Sequence, residues 1–259
     1  MPESFYERDG ARFVSTELTR GPWDPETQHA GPPAALLGRE VERLEDADEF
    51  QVARITFEIL RAVPIAPLRV ESHVTRPGRR VQLVEGALSD GEGEVMRATA
   101  WRLRTGPVQL PHLPEGEAPA GPDEAEPGDF IPTGQAVGYH TAMEYRFLEG
   151  AFLEPGPAKV WMRMQYPLVS GEQPSPLQRV LTAADSGNGV SATLDWRRFL
   201  FINVDLSVHL ERHPVGEWVC LDAVTLPQPN GVGVADTELM DERGRIGRAL
   251  QTLLVSERD

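Results

Sequence analysis

Apolar and polar residues alternate with period two through most of this chain, and only two stretches switch to the helical period. In the first part, PPAALLGREVERL (32–44) carries apolar residues at helical spacing behind a Gly-Pro-Pro start. Proline suits the first helical turn, where its missing N–H would have no intrahelical partner. Four alternating runs follow: VARITFEIL (52–60), PLRVESHVT (67–75), RVQLVEGALS (80–89) and EVMRATAWRLR (94–104). Turn signals such as RPGRR and DGEGE bound them. In the second part, AMEYRFLEG (142–150) and AKVWMRMQY (158–166) read as early strands, and PSPLQRVLTAADSG (174–187) as the helix. FLFINVDLSVHL (199–210), EWVCLDAVTL (217–226), GVADTELMD (233–241) and RIGRALQTLLV (245–255) complete the series. The pattern predicts one helix and four antiparallel strands, stated twice.

The repetition survives a residue-by-residue overlay. LRAVPIAPLRVESHV (60–74) lies on LERHPVGEWVCLDAV (210–224) without a gap, placing Pro64 on Pro214. After one inserted residue, LSDGEGEVMRATA (88–100) lies on LMDERGRIGRALQ (239–251). A repeat of this length and order predicts an α+β chain of two tandem domains, each a curved antiparallel sheet around one long helix. Residues 1–104 form the first and 135–259 the second. Between them, 105–134 is rich in Pro, Gly and acidic residues without periodicity, the composition of a linker or long surface loop.

Composition narrows the function. The 259 residues are 40% hydrophobic and 25% charged, as in soluble globular proteins. No apolar run approaches the roughly 20 residues of a membrane span. MPESFYERDGARF has no basic segment followed by an apolar one, so a cytoplasmic protein is expected. Cys220 is the only cysteine, which excludes internal disulfides and cysteine-rich metal sites. A formal charge of −15 argues against nucleic acid as a partner. An anionic ligand would need a local gathering of arginines, for which Arg76, Arg79, Arg80, Arg197 and Arg198 are the candidates.

Several constellations of catalysis are absent from the sequence: no G-x-S-x-G elbow, P-loop, complete G-x-G-x-x-G or H-E-x-x-H occurs. His209 and His213 have the spacing of a helical metal pair, but they stand in or beside an alternating strand with Pro214 following. Partly exposed histidines are the expectation there, and Cys220 in WVCLDAV reads as a small core residue. More telling is ADSGNG (184–189), which places two glycines beside a carboxylate in a helical stretch. Each glycine costs a helix interior roughly 1 kcal/mol, so something is expected to come close to the backbone here.

ADSGNG on the helix, FINVDLSVHLER on the next strand, DERGRIGRALQTLL on the last, and HAGPPAALL in the first part occur in this order. Together they resemble the TesB-like acyl-CoA thioesterase II family of double-hotdog enzymes, including its thioesterase-like actinobacterial branch. The resemblance spans the chain outside the linker. It implies hydrolysis of an acyl-CoA to free acid and coenzyme A by a water held by an Asp, a Ser or Thr, and a Gln. Asp185 matches the Asp and Gln251 the Gln, while Asn203 stands where better-known members carry the hydroxyl. An amide can still hydrogen-bond water, with a different reach and donor pattern. The counterpart of Gln251 in the first part is Ala100, so one site per chain is expected.

Thioester hydrolysis needs a base for water and donors for the developing oxyanion. Partial burial of Asp185 would raise its pKa toward usefulness. The amides at His29, Ala30 and Gly31, opening the first helix, are the expected oxyanion and substrate contacts, and Gly187 and Gly189 are expected to make room for the thioester. No metal, organic cofactor or covalent intermediate is implied. A homodimer is plausible for a fold with exposed sheet edges. Two alternatives stay open. A hotdog hydratase or dehydratase would carry an Asp–His pair, and no Asp-x-x-x-x-His arrangement stands on the helices. A non-catalytic acyl-thioester or lipid-binding module is kept open by Asn203.

Overall fold

A computed structural model of the chain describes residues 2–111, 117–130 and 132–258. The first part contains strands β1 (Tyr6–Asp9) and β2 (Arg12–Ser15), helix α1 (Gly31–Glu42), and strands β3 (Phe50–Ile59), β4 (Pro67–Arg76), β5 (Val81–Ser89) and β6 (Glu94–Arg104). The second contains β7 (Glu126–Pro127), α2 (Tyr139–Ala142), β8 (Met143–Ala151), β9 (Glu154–Met164), α3 (Pro176–Ala184) and α4 (Gly187–Val190). It closes with β10 (Phe199–Asn203), β11 (Asp205–Leu210), β12 (Trp218–Pro227), β13 (Val232–Asp241) and β14 (Gly244–Glu257).

The strands join in one antiparallel sheet in the order β1-β2-β4-β5-β6-β3-β11-β14-β13-β12-β9-β8-β7, with β10 paired to β14. The two series are the same motif, related about a seam where β3 pairs with β11. Leu206 faces Phe57 there, and Thr56 Oγ1 lies 2.8 Å from Ser207 Oγ. The alternation that predicts the strands also fixes their faces. Ile55, Phe57, Leu206 and Val208 are buried, and their neighbours in sequence point to the other face.

Helices α1 and α3 lie antiparallel against each other on this sheet. At one end Ser175, the N-cap of α3, donates to Glu42 at the end of α1 (2.7 Å). At the other, a Cβ on Gly31 would collide with the carbonyl oxygen of Thr182. Two turns along, a Cβ on Gly38 would meet Leu181 Cδ1. The pair of glycines lets the helices approach backbone to side chain. The start of α1 is thereby set beside the end of α3.

Two expected elements are interrupted. The second helix stops at Ala184, Asp185 caps it (φ −68°, ψ −12°), and a short turn of helix resumes at Gly187. The strand expected over 199–210 breaks at Val204 into β10 and β11. At the overlaid position of the first part, β3 carries a register shift between Val52 and Arg54. A hairpin not anticipated from the pattern, β1–β2, turns at Gly10 (φ 58°) and extends the sheet at one edge.

Candidate active site

The break in the second helix and the break in the strand meet. Asp185 is buried, its side chain 4% exposed, and its carboxylate is ringed by donors. Asn203, the last residue before the strand break, donates from Nδ2 to Asp185 Oδ1 (2.8 Å) and to the Asp205 carbonyl (3.1 Å). Gln251 on β14 donates from Nε2 to both Oδ1 and the main-chain oxygen of Asp185 (3.1 Å each). Its Oε1 accepts from the Asn188 N–H at 3.0 Å. Gln251 thus clamps the helix break, holding the last carbonyl of one segment and an early N–H of the next. On the other side of the carboxylate stand His29, with Nδ1 3.1 Å from Oδ2, and the backbone N–H groups of Ala30 and Gly31.

The helix pairing explains this convergence. Because α1 runs antiparallel to α3, its positive N-terminal end meets the cap of α3 at Asp185. His29, two residues before α1, comes with it. The imidazole is fixed from a third element: the Tyr139 ring on α2 stacks on it at 3.7 Å between centroids and 6° between planes. Tyr139 is fixed in turn, its hydroxyl donating to the Thr182 carbonyl (2.7 Å) and lying 2.9 Å from Ser186 Oγ.

Burial sets the proton affinities. It pushes the Asp185 carboxyl up to about 7, against the opposing pull of the donors from Asn203, Ala30, Gln251 and Gly31. Burial also pushes the His29 imidazole down, to about 3. Both shifts run toward neutral groups, so the pair favours a protonated carboxyl beside an uncharged ring over an ion pair. Tyr139 is pushed upward by its burial and stays protonated.

A cavity of about 660 Å³ opens over the pair. Its wall is mostly apolar, with Trp23 edge-on to Phe201 at 5.4 Å, and Trp196, Phe130, Phe152 and Leu194 around them. Such a volume and lining suit a small organic ligand. Of the residues singled out by sequence, His29, Ala30, Asp185, Gly189 and Asn203 line it. Gln251 is 2% exposed and lies behind Asp185, outside the wall. Gly189 has open space at its Cα, whereas a Cβ on Gly187 would run into Thr237 Oγ1, so that glycine makes room for β13. The Gly31 N–H donates to His29 Nδ1 (3.1 Å), and the Ala30 N–H faces Asp185.

Of the five arginines considered for an anionic ligand, Arg197 lines the cavity, stacked over Trp196, and Arg198 follows it in sequence. Arg76, Arg79 and Arg80 sit at the β4–β5 turn and form no part of the wall. Arg61, which sequence reasoning passed over, does line it, paired to Asp90 at 2.6 Å. Tyr139 was also passed over, since nothing in VGYHTAM marks it. Among the described residues no three His, Cys, Asp or Glu side chains are grouped to hold a metal, and no helix is long and apolar enough to cross a membrane.

Comparison with known proteins agrees with this layout. Residues 19–103 match the family profile described as the acyl-CoA thioesterase N-terminal domain, and 117–255 match the acyl-CoA thioesterase C-terminal domain. No curated protein sequence matches the chain. Among solved structures, a proposed thioesterase II of Thermobifida fusca is similar at 17% identity and a TM-score of 0.75, over 98% of this chain and 96% of that one. A hot dog-fold protein of unknown function from Alicyclobacillus acidocaldarius is similar at 14% and 0.73, over 98% and 96%. The acyl-CoA thioesterase II TesB2 of Mycobacterium marinum is similar at 15% and 0.68, again over 98% and 96%. At these identities the structures speak for the fold, a double hotdog. With both of its domains matched in order, the chain belongs to the acyl-CoA thioesterase family and is a thioester hydrolase.

Proposed function

We propose that the chain hydrolyses acyl-CoA to free acid and coenzyme A by direct attack of water, with Asp185 as the final acceptor of the water's proton. The observation that carries this reading is the Asp185 carboxyl itself. It is buried at an apolar cavity, fixed by donors from three elements, and its proton affinity of about 7 is matched to neutral pH. An ordinary carboxylate is too weak a base at that pH, and burial supplies the difference. The serine in the cavity wall, Ser186, has its Oγ 2.9 Å from the Tyr139 hydroxyl and makes no hydrogen bond to Asp185 or His29 among the described residues, so water rather than a side chain is the nucleophile. Asn203 and Gln251 spend both amide hydrogens each around Asp185, the carboxylate and its neighbouring carbonyls, and so hold the acceptor in place. The apolar wall receives the acyl chain, and Arg61 and Arg197 face the anionic end of the substrate. A homodimer in the cytoplasm belongs to the same reading.

The test is release of free thiol from short, long, branched and aromatic acyl-CoAs by wild type and Asp185→Asn, both shown folded by circular dichroism. The substitution is expected to lower kcat by about 10²- to 10⁴-fold. Wild-type turnover should rise with pH through about 7 as the carboxyl ionises. Survival of turnover in the variant would remove Asp185 from the chemistry. The 3.1 Å approach of His29 to Asp185 favours one second reading, hydration of an unsaturated acyl-CoA, because such enzymes carry an Asp–His pair. Loss of enoyl absorbance without thiol release would select it.

A further inference from the structure

We propose that His29 is a catalytic residue of this hydrolysis: its Nε2 takes the proton from water while its Nδ1 hands a proton to Asp185 Oδ2. The inference rests on the hydrolytic reading above and concerns the route by which the proton reaches Asp185.

Lone-pair accounting leads to it. A carboxylate offers about four acceptor sites. Asn203 Nδ2 and Gln251 Nε2 already donate to that of Asp185, His29 Nδ1 stands 3.1 Å from Oδ2, and the Ala30 N–H faces it as well. Little remains to receive an O–H from a water in the cavity. The imidazole is placed the other way. Nδ1 is turned inward, accepting from the Gly31 N–H (3.1 Å) and lying 3.1 Å from Asp185 Oδ2, the arrangement of a ring protonated on Nε2 beside a protonated carboxyl. Nε2 has no hydrogen-bond partner among the described residues, and the ring lines the cavity with its side chain 12% exposed. Asn203 lines the same wall, and its Oδ1 likewise has no partner among the described residues. A water that donates one hydrogen to Asn203 Oδ1 and the other to His29 Nε2 leaves its oxygen lone pairs free for a carbonyl carbon.

The steps balance. With Asp185 ionised, the Gly31 N–H leaves Nδ1 for the carboxylate, and the ring holds its proton on Nδ1 and presents a lone pair at Nε2. Water forms the C–O bond as the carbonyl π pair moves onto oxygen. One water proton passes to Nε2, and the Nδ1 proton crosses to Asp185 Oδ2. The oxygen pair then re-forms the carbonyl, the C–S bond breaks, and the leaving sulfur takes the Nε2 proton as Oδ2 returns its own to Nδ1. The ring changes tautomer and stays uncharged, which suits a burial that disfavours imidazolium. The Tyr139 ring stacked on its face holds both nitrogens in the plane the transfer needs.

Two measurements test the proposal. In the first, thiol release is compared for wild type, His29→Gln and His29→Ala, with and without free imidazole. Retained binding of a non-hydrolysable thioether analogue serves as the check on folding. The expected result is a loss of about 10²- to 10⁴-fold in kcat for both variants, with partial rescue of His29→Ala by imidazole. Variants within about fivefold of an active wild type would overturn this proposal and leave Asp185 as the direct base. A silent wild type would overturn the hydrolytic reading and this one with it. In the second, the ring nitrogens of His29 are followed by ¹⁵N NMR from pH 5 to 9. The expected signature is a neutral ring throughout, with the proton on Nε2 at low pH and on Nδ1 above the midpoint. A proton fixed on one nitrogen, or an imidazolium, would overturn it. The charged and titratable groups facing the pair are Tyr139 from α2 and, across the cavity, Asp24, Arg61, Asp195 and Arg197. Arg61→Gln is the control that should leave the tautomer switch in place.

Discussion

At Asp185 and His29 two displaced proton affinities act on stability in opposite senses. The carboxyl binds its proton more tightly in the folded state, up to about 7, so on its own it makes stability fall as pH rises from about 4 to 7. The imidazole binds more weakly when folded, near 3, so on its own it makes stability rise from about 3 to 6.5. Where the windows overlap, the folded pair and the unfolded pair hold the same number of protons, and the two slopes cancel. Single substitutions should separate them. Relative to wild type, His29→Gln is expected to lose stability as pH rises from 4.5 to 6.5, and Asp185→Asn to gain it. Each difference should approach an order of about 1.4 kcal/mol per pH unit. Urea denaturation at three pH values measures both, and slopes of the same sign would refute the pairing. Asp185 was readable in the sequence because glycines and a carboxylate disturb a helical pattern there. Its partnership with His29 was not, since a pair 156 positions apart is made by the crossing of two helices rather than by any spacing along one.

Among the elements, the α1–α3 crossing governs whether the site assembles. Gly31 and Gly38 occupy the same face, but what they face differs. At Gly31 the obstacle is the Thr182 backbone carbonyl, which cannot move without shifting α3. At Gly38 it is the tip of the Leu181 side chain, which can rotate. Gly31→Ala is therefore expected to destabilise by about 2–3 kcal/mol and to depress turnover, and Gly38→Ala by about 1 kcal/mol or less with turnover kept. Chemical denaturation paired with thiol release distinguishes them, and equal costs would refute the assignment. The pattern of alternation found the strands and the two helices. It ran straight through Ala184–Gly187 and Asn203–Asp205, where side-chain hydrogen bonds take up the interrupted backbone. Gln251 supplies the bonds at the first break and Asn203 at the second. The β1–β2 hairpin was within reach, since Asp9-Gly10 between two short runs is a turn signal.

For the whole molecule, the seam between β3 and β11 and the crossing of α1 with α3 make the two halves a single sheet and a single core. The segment after β6 contributes little to that union, with residues 105–111 exposed. A specific protease site inserted after Gly106 should thus be cleavable without separating the halves. They are expected to co-elute on size exclusion and to keep thiol release, and dissociation after cleavage would show that the covalent link is required. The union has a further consequence, in terms of inheritance. In a dimer of identical hotdog chains every substitution is made twice, so a residue chosen for one face of a site must also be tolerated at its duplicate. Here His29 is written once, in the first half, and Asp185 once, in the second, with Ala100 standing where a second Gln251 would be. Each half can change for its own part alone, and neither half carries all the residues of the proposed site.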